Sequence, residues 1–177
     1  MRVIAGFLRH RKLEMTNLAT TRETQDSVRE AIFNMIGPYF DGGIALDLFA
    51  GSGAMAIEAF SRGINTIYLN DLNPLAISVC KKNCLNLEIK EAHFSSLDYQ
   101  AFLKNNTIKF DLIILDPPYK LDNIQDILRL VTHHLNLNGT IVFEMAKESN
   151  FAIEDIDLEI VKNKVYGLKR VVVYQKK

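Results

Sequence analysis

Only two of the 177 residues are cysteine, Cys80 and Cys84, and they stand four apart in a helical pattern. A disulfide framework is therefore excluded, and a reducing cytoplasm is the expected setting. No Cys/His pair lies at zinc spacing, so no metal is expected. Long apolar runs are missing as well. Uncharged apolar runs such as residues 112–115 and 171–174 are strand-sized, whereas a membrane span needs about 20 residues. The opening Met1-Arg-Val-Ile-Ala-Gly6 is basic but lacks the apolar stretch and cleavage site of a signal peptide. Internal repeats, low-complexity tracts and Pro/Ser-rich linkers are absent too, so residues 1–177 should form one domain.

Net charge is the last absence: 21 Lys and Arg balance 21 Asp and Glu. The balance conceals an asymmetry. Arg2, Arg9, Arg11 and Lys12 open the chain, and Lys162, Lys164, Lys169, Arg170, Lys176 and Lys177 close it, with no acid beside them. Residues 13–159 then carry 11 basic against 21 acidic side chains. Such ends either hold a polyanion or simply keep the chain soluble.

What is present is an alternation of short apolar runs with helical patterns, the signature of a parallel α/β sheet. Strands are expected at residues 44–49, 66–70, 88–94, 110–115 and 139–145. Helices are expected at 53–62, from Asn73-Pro74 to about 86, at 99–104 and at 122–135. Residues 158–165 and 168–174, parted by Tyr166-Gly167, predict a hairpin, hence an antiparallel end to the sheet. Residues 27–36 are amphipathic, with Val28, Ile32, Phe33 and Ile36 on one face, and the first fifteen residues suggest a basic arm or hairpin.

Two loops carry chemistry. Ala50-Gly51-Ser52-Gly53 joins a strand to a helix, where glycines let a ligand approach the backbone. From Gly51 the segment also fits G-x-G-x-x-A, with Asp71 twenty residues on, where a ribose-binding acid is wanted. Asp47 interrupts a buried strand, so it either faces a cationic ligand or braces the loop. The second loop is Asp116-Pro117-Pro118-Tyr119 at a strand end. Its prolines remove two donors and hold the chain extended. The Asp116 carboxylate and proline carbonyls become acceptors beside an aromatic plate, a site suited to a planar base with an exocyclic amine.

Taken with Leu46-Asp-Leu-Phe-Ala-Gly-Ser-Gly53, Asp116-Pro-Pro-Tyr119 resembles the S-adenosylmethionine-dependent methyltransferases of exocyclic amines. Met1-Arg-Val-Ile-Ala-Gly6, Arg11-Lys-Leu13 and Val28-Arg-Glu-Ala-Ile-Phe-Asn34 extend the resemblance along nearly the whole chain, to the bacterial RsmD family. That family methylates guanine N2 in small-subunit ribosomal RNA. The resemblance implies a Rossmann-like, mostly parallel sheet with an antiparallel C-terminal hairpin, helices on both faces and a short basic N-terminal extension. Residues 1–40 would be an RNA-facing arm and helix, and 41–177 the catalytic core. It places S-adenosylmethionine against Asp47, Ala50, Gly51, Gly53 and Asp71, with Asp98 near the adenine amine and Thr24 at the site's border. Asp116, Pro117, Pro118 and Tyr119 would hold the target amine, leaving S-adenosylhomocysteine as product. Arg2, Arg9, Arg11, Lys12 and Arg22 would meet ribosomal RNA, free or within an assembling small subunit, with the protein acting as a monomer. Glu23, Ser27 and Asn73, with Phe7, Leu8 and His10, depart from the usual pattern.

Other functions remain to be weighed. The glycine loop and Asp71 alone would also suit an NAD-type oxidoreductase, although hydride transfer has no use for Asp-Pro-Pro-Tyr. A DNA or RNA adenine-N6 methyltransferase shares the chemistry, and a non-catalytic RNA-binding module could keep the fold. Cys80 and Cys84 are expected in helix packing, and His133-His134 against carbonyls at a helix end.

Overall fold

The computed structural model describes residues 1–16, 25–118, 123–154 and 156–177. Along the chain run α1 (Asp26–Ile36), β1 (Ile44–Asp47), α2 (Ala54–Ser61), β2 (Thr66–Asn70), α3 (Pro74–Asn86), β3 (Ala92–Ser95) and α4 (Tyr99–Lys104). They are followed by β4 (Phe110–Leu115), α5 (Ile124–Thr132), β5 (Leu135–Ala146), β6 (Leu158–Tyr166) and β7 (Lys169–Lys176).

Seven strands form one sheet in the order β3-β2-β1-β4-β5-β7-β6. β1 to β5 pair in parallel, and β7 runs antiparallel to both β5 and β6. The period of two along each strand divides the core. Ala45, Ile67, Leu112, Ile114, Val142 and Val171 pack with α1, α2 and α3 on one face. Leu46, Ile113, Leu115, Ile141, Phe143 and Val172 pack with α4 and α5 on the other. A parallel strand buried on both faces shows no alternation in its sequence, which is why β4 is uniformly apolar but for Asp111. On α5, Ile127, Leu128 and Val131 are fully buried, and each such side chain contributes about 1.5–3 kcal/mol.

Local signals account for several boundaries. Asn73 caps α3 by accepting the Leu75 N–H at 2.9 Å, with Pro74 at the first helical position. The expected strand at 88–94 shrinks to β3, because Glu88 takes φ 59° as the chain turns out of α3. The expected helix at 122–135 ends at Thr132, and Leu135 opens a strand longer than the expected 139–145. His134 makes the change of direction: its N–H donates to Val131 and its carbonyl accepts from Phe110. A register shift between Phe110 and Leu112 then absorbs the turn at Asn138, φ 62°. The hairpin turn is Gly167-Leu168 rather than Tyr166-Gly167, since Tyr166 still pairs with Lys169 and Gly167 is the residue at φ 60°.

The first thirteen residues form a compact hairpin, not an extended arm. Arg2 bridges Lys12, and Val3, Leu8 and Leu13 join the core under α1 and α2. Glu58 of α2 anchors this hairpin: its buried carboxylate accepts from the N–H groups of Ile4 (2.8 Å) and Ala5 (3.0 Å). The same carboxylate pairs with Arg62 at 2.7 Å and with buried Arg29 at 3.6 Å. Gly6 lies so close to α2 that a Cβ would stand 1.7 Å from the Ser61 carbonyl oxygen.

Candidate active site

The strand order reverses between β1 and β4, and open α/β sheets bind ligands beyond the carboxyl ends of strands at such a point. Both loops singled out in the sequence arrive there. After β1 the chain is held by Leu48 N–H to the Ile114 carbonyl and by Ala50 N–H to the Asn70 carbonyl. It then turns through Gly51 (φ 54°) and Gly53 (φ 79°) into α2, whose first turn has no side-chain cap. Gly53 cannot be replaced without strain: a Cβ would lie 2.7 Å from Leu69 Cδ2 and 3.1 Å from Cys80 Sγ.

Asp71 follows β2 and faces this loop. Its Oδ2 accepts the Gly51 N–H and its Oδ1 the Asn73 N–H, both at 2.9 Å. Each oxygen keeps a further lone pair, and the side chain is only half-buried, so the carboxylate is aimed and still open. Buried Asn70, which the sequence reading missed, ties the strand ends together. It donates to the carbonyls of Leu48 (3.3 Å) and Leu97 (3.0 Å), and accepts from Ser95 Oγ (2.7 Å) and the Leu97 N–H (3.2 Å). Asn83, also missed, donates to Ser52 and Glu14 carbonyls, so the end of the N-terminal hairpin is bonded to the glycine loop through α3.

Asp47 ends β1 only 2% exposed, on the face that carries α1 to α3. Asp98 is exposed and caps α4, accepting the Gln100 N–H at 2.9 Å. Across the reversal point, Asp116 follows β4 with its side chain 29% exposed and Lys169 Nζ 3.9 Å from Oδ2. Pro117 and Pro118 border a shallow pocket with Phe143, Met145 and Ser149. Tyr119, Arg22 and Thr24 lie outside the described residues. The rings of Phe49 and Tyr99 meet at 5.8 Å.

Cys80 donates its thiol to the Gly51 carbonyl at 3.2 Å, and burial pushes the Cys84 thiol up to about 12. Both pack in α3 as expected. Among the described residues no cluster of three or more His, Cys, Asp or Glu could hold a metal ion. The basic ends are more engaged than their composition suggests. Arg11 donates to the Asn86 carbonyl, Arg170 lies over the Phe151 ring, Lys176 reaches two carbonyls and Lys169 is paired internally. Arg9, Lys12, Lys162 and Lys164 remain exposed. No helix among the described residues is long and apolar enough to cross a membrane.

A family model described as Conserved hypothetical protein 95 matches residues 1–175. The chain is 41% identical over 184 residues to YlbH of Bacillus subtilis (strain 168), provisionally named an rRNA methyltransferase, with 100% of both chains covered. It is 32% identical to ribosomal RNA small subunit methyltransferase D of Haemophilus influenzae, covering 99% of this chain and 93% of that protein. The solved structure of yhhF from Escherichia coli, described as a methyltransferase, superposes with a TM-score of 0.87 at 27% identity, over 100% of this chain and 98% of that one. Matched along nearly its entire length, this chain belongs to the RsmD family of methyltransferases.

Proposed function

We propose that this methyltransferase transfers a methyl group from S-adenosylmethionine to the exocyclic N2 amine of a guanine in small-subunit ribosomal RNA. One observation carries the reading: an aimed carboxylate beside a glycine loop, Asp71, and an acceptor-rich proline loop, Asp116–Pro118, flank the point where strand order reverses. The residues fit a nucleoside. Asp71 presents two spare acceptor positions to a ribose diol, and Gly51 and Gly53 keep side chains off the backbone beside it. Ala50 and Asp47 border the same loop, and the family resemblance assigns Asp98 to the adenine amine and Thr24 to the edge of the site.

S-adenosylmethionine supplies an electrophilic methyl group on a sulfonium. The chain's own task is to hold the attacking nitrogen. Asp116 and the carbonyls of Pro117 and Pro118 accept the amine's N–H groups, which turns its lone pair toward the methyl. Tyr119 stacks on the base after it has left its helix. Holding nitrogen, methyl and sulfur in line supplies several kcal/mol through orientation alone. The amine proton leaves afterwards to Asp116 or to water. Arg2, Arg9, Arg11, Lys12 and Arg22 hold RNA phosphates, which positions the substrate without reading its sequence. The protein works as a cytoplasmic monomer on ribosomal RNA, free or within an assembling small subunit.

Labelled cofactor should transfer its methyl group to ribosomal RNA, with partly assembled subunits compared against naked RNA. Nucleoside analysis should find N2-methylguanosine. N6-methyladenosine instead would overturn the choice of base.

A further inference from the structure

An aspartate normally locks its own carboxylate by accepting a backbone N–H two residues on. Asp116 has no such option, because prolines occupy both following positions and neither carries an N–H. Lys169 supplies a cation from the C-terminal hairpin, which pairs far from the proline loop in sequence.

Asp116 continues the line of Ile114 on β4, Glu144 that of Val142 on β5, and Lys169 that of Val171 on β7. All three share the face that also carries Asp47 at the end of β1. Glu144 is 4% exposed and pairs with Lys169, itself 13% exposed. The same ammonium stands 3.9 Å from Asp116 Oδ2. A lysine stem is flexible by itself, but a buried carboxylate at its tip removes that freedom. On this face α1 contributes Asp26 and Arg29, which pair with each other, and Glu30, which is exposed. Two carboxylates from neighbouring strands, Asp116 and Glu144, thus share one ammonium among these neighbours.

We propose that Lys169, clamped by Glu144, is a positioning residue that holds the Asp116 carboxylate ionised and aimed at the target amine. This rests on the reading of Asp116 as the amine acceptor. The reversed hairpin then has a task in the reaction: it brings a cation beside the proline loop, where β4 and β5 provide none.

Lys169→Met alone would strand a buried Glu144 charge, so the decisive variant is Lys169→Met/Glu144→Gln, which leaves neither charge. Its fold is verified by circular dichroism and by S-adenosylhomocysteine affinity within twofold of wild type. Its kcat should fall at least tenfold, and the acid limb of its kcat–pH profile should move up by about one unit as the carboxylate loses its cation. Lys169→Arg should retain most of the rate. Wild-type kcat and pH profile in the double variant would overturn the proposal, leaving Lys169 as a mere counter-charge for Glu144. Asp116→Asn separates the two levels. If it is slow while the double variant is fast, only the Lys169 role fails; if it turns over at the wild-type rate, the acceptor reading fails and the proposal with it.

Discussion

Asp71 shows how much one side chain can organise. Two backbone N–H groups, from Gly51 and Asn73, hold its carboxylate, so the residue orients the glycine loop while keeping acceptor capacity for a ligand. Asp71→Ala removes both functions. Charge-assisted hydrogen bonds to a ribose diol contribute roughly 1.5–3 kcal/mol, and calorimetry should show S-adenosylhomocysteine affinity weakened by about that amount while RNA affinity barely moves. Unchanged cofactor affinity would remove Asp71 from the ribose. Spacing from Gly51 made Asp71 visible in the sequence. Asn70, one residue earlier and equally involved, was not visible, because a strand-ending asparagine looks like any turn residue until its four hydrogen bonds are known.

At the scale of elements, the N-terminal hairpin is fastened to α2 by the buried Glu58 carboxylate and by Ser61, which bonds Ala5, Phe7 and Leu8. Glu58 serves two hairpin N–H groups and two arginines. Breaking a buried ion pair from one side costs about 3–5 kcal/mol, so Glu58→Gln should lower the urea midpoint by a corresponding amount, well beyond an ordinary surface substitution. No change would mean that Val3, Leu8 and Leu13, with the Ser61 hydrogen bonds, suffice to dock the hairpin. The turn between α5 and β5 carries a pH dependence. Burial holds the His134 imidazole below its usual 6.5, although its Nδ1 proton donates to the Ile108 carbonyl. On acidification through 6.5 the unfolded chain takes up the proton first, so stability falls as pH drops and is fully present above that value. Urea unfolding at about pH 7.5 and about pH 5.5 should show the loss, and His134→Gln should reduce the difference.

For the whole molecule, charge decides how a large RNA could approach. Residues 13–159 carry ten more acids than bases, so attraction must come from the ends. Arg170 and Lys176 are occupied by internal contacts, as is Lys169. This shifts the weight onto the N-terminal hairpin, where Arg11 stays exposed while donating one N–H to the Asn86 carbonyl, and onto the exposed Lys162 and Lys164. Arg9→Ala/Arg11→Ala should weaken RNA binding and flatten its salt dependence by about one to two units, with cofactor affinity intact. A wild-type slope across a salt titration would mean that these charges are merely solvated. The sequence by itself determined what depends on neighbours along the chain: strand and helix periodicity, the Asn73-Pro74 start of α3, and the glycine and proline loops at their strand ends. Boundaries moved where a tertiary bond outweighed local pattern, as at Leu135, which β4 pairing draws from a helix into a strand. Only the tertiary structure decided the partners of Glu58 and Asn83, and the ion pairs joining Glu144, Lys169 and Asp116. These side chains are charged or polar types that local pattern assigns to solvent. They are buried because residues far apart in sequence meet them with complementary charge or hydrogen bonds, and that meeting is settled by strand order rather than by sequence spacing.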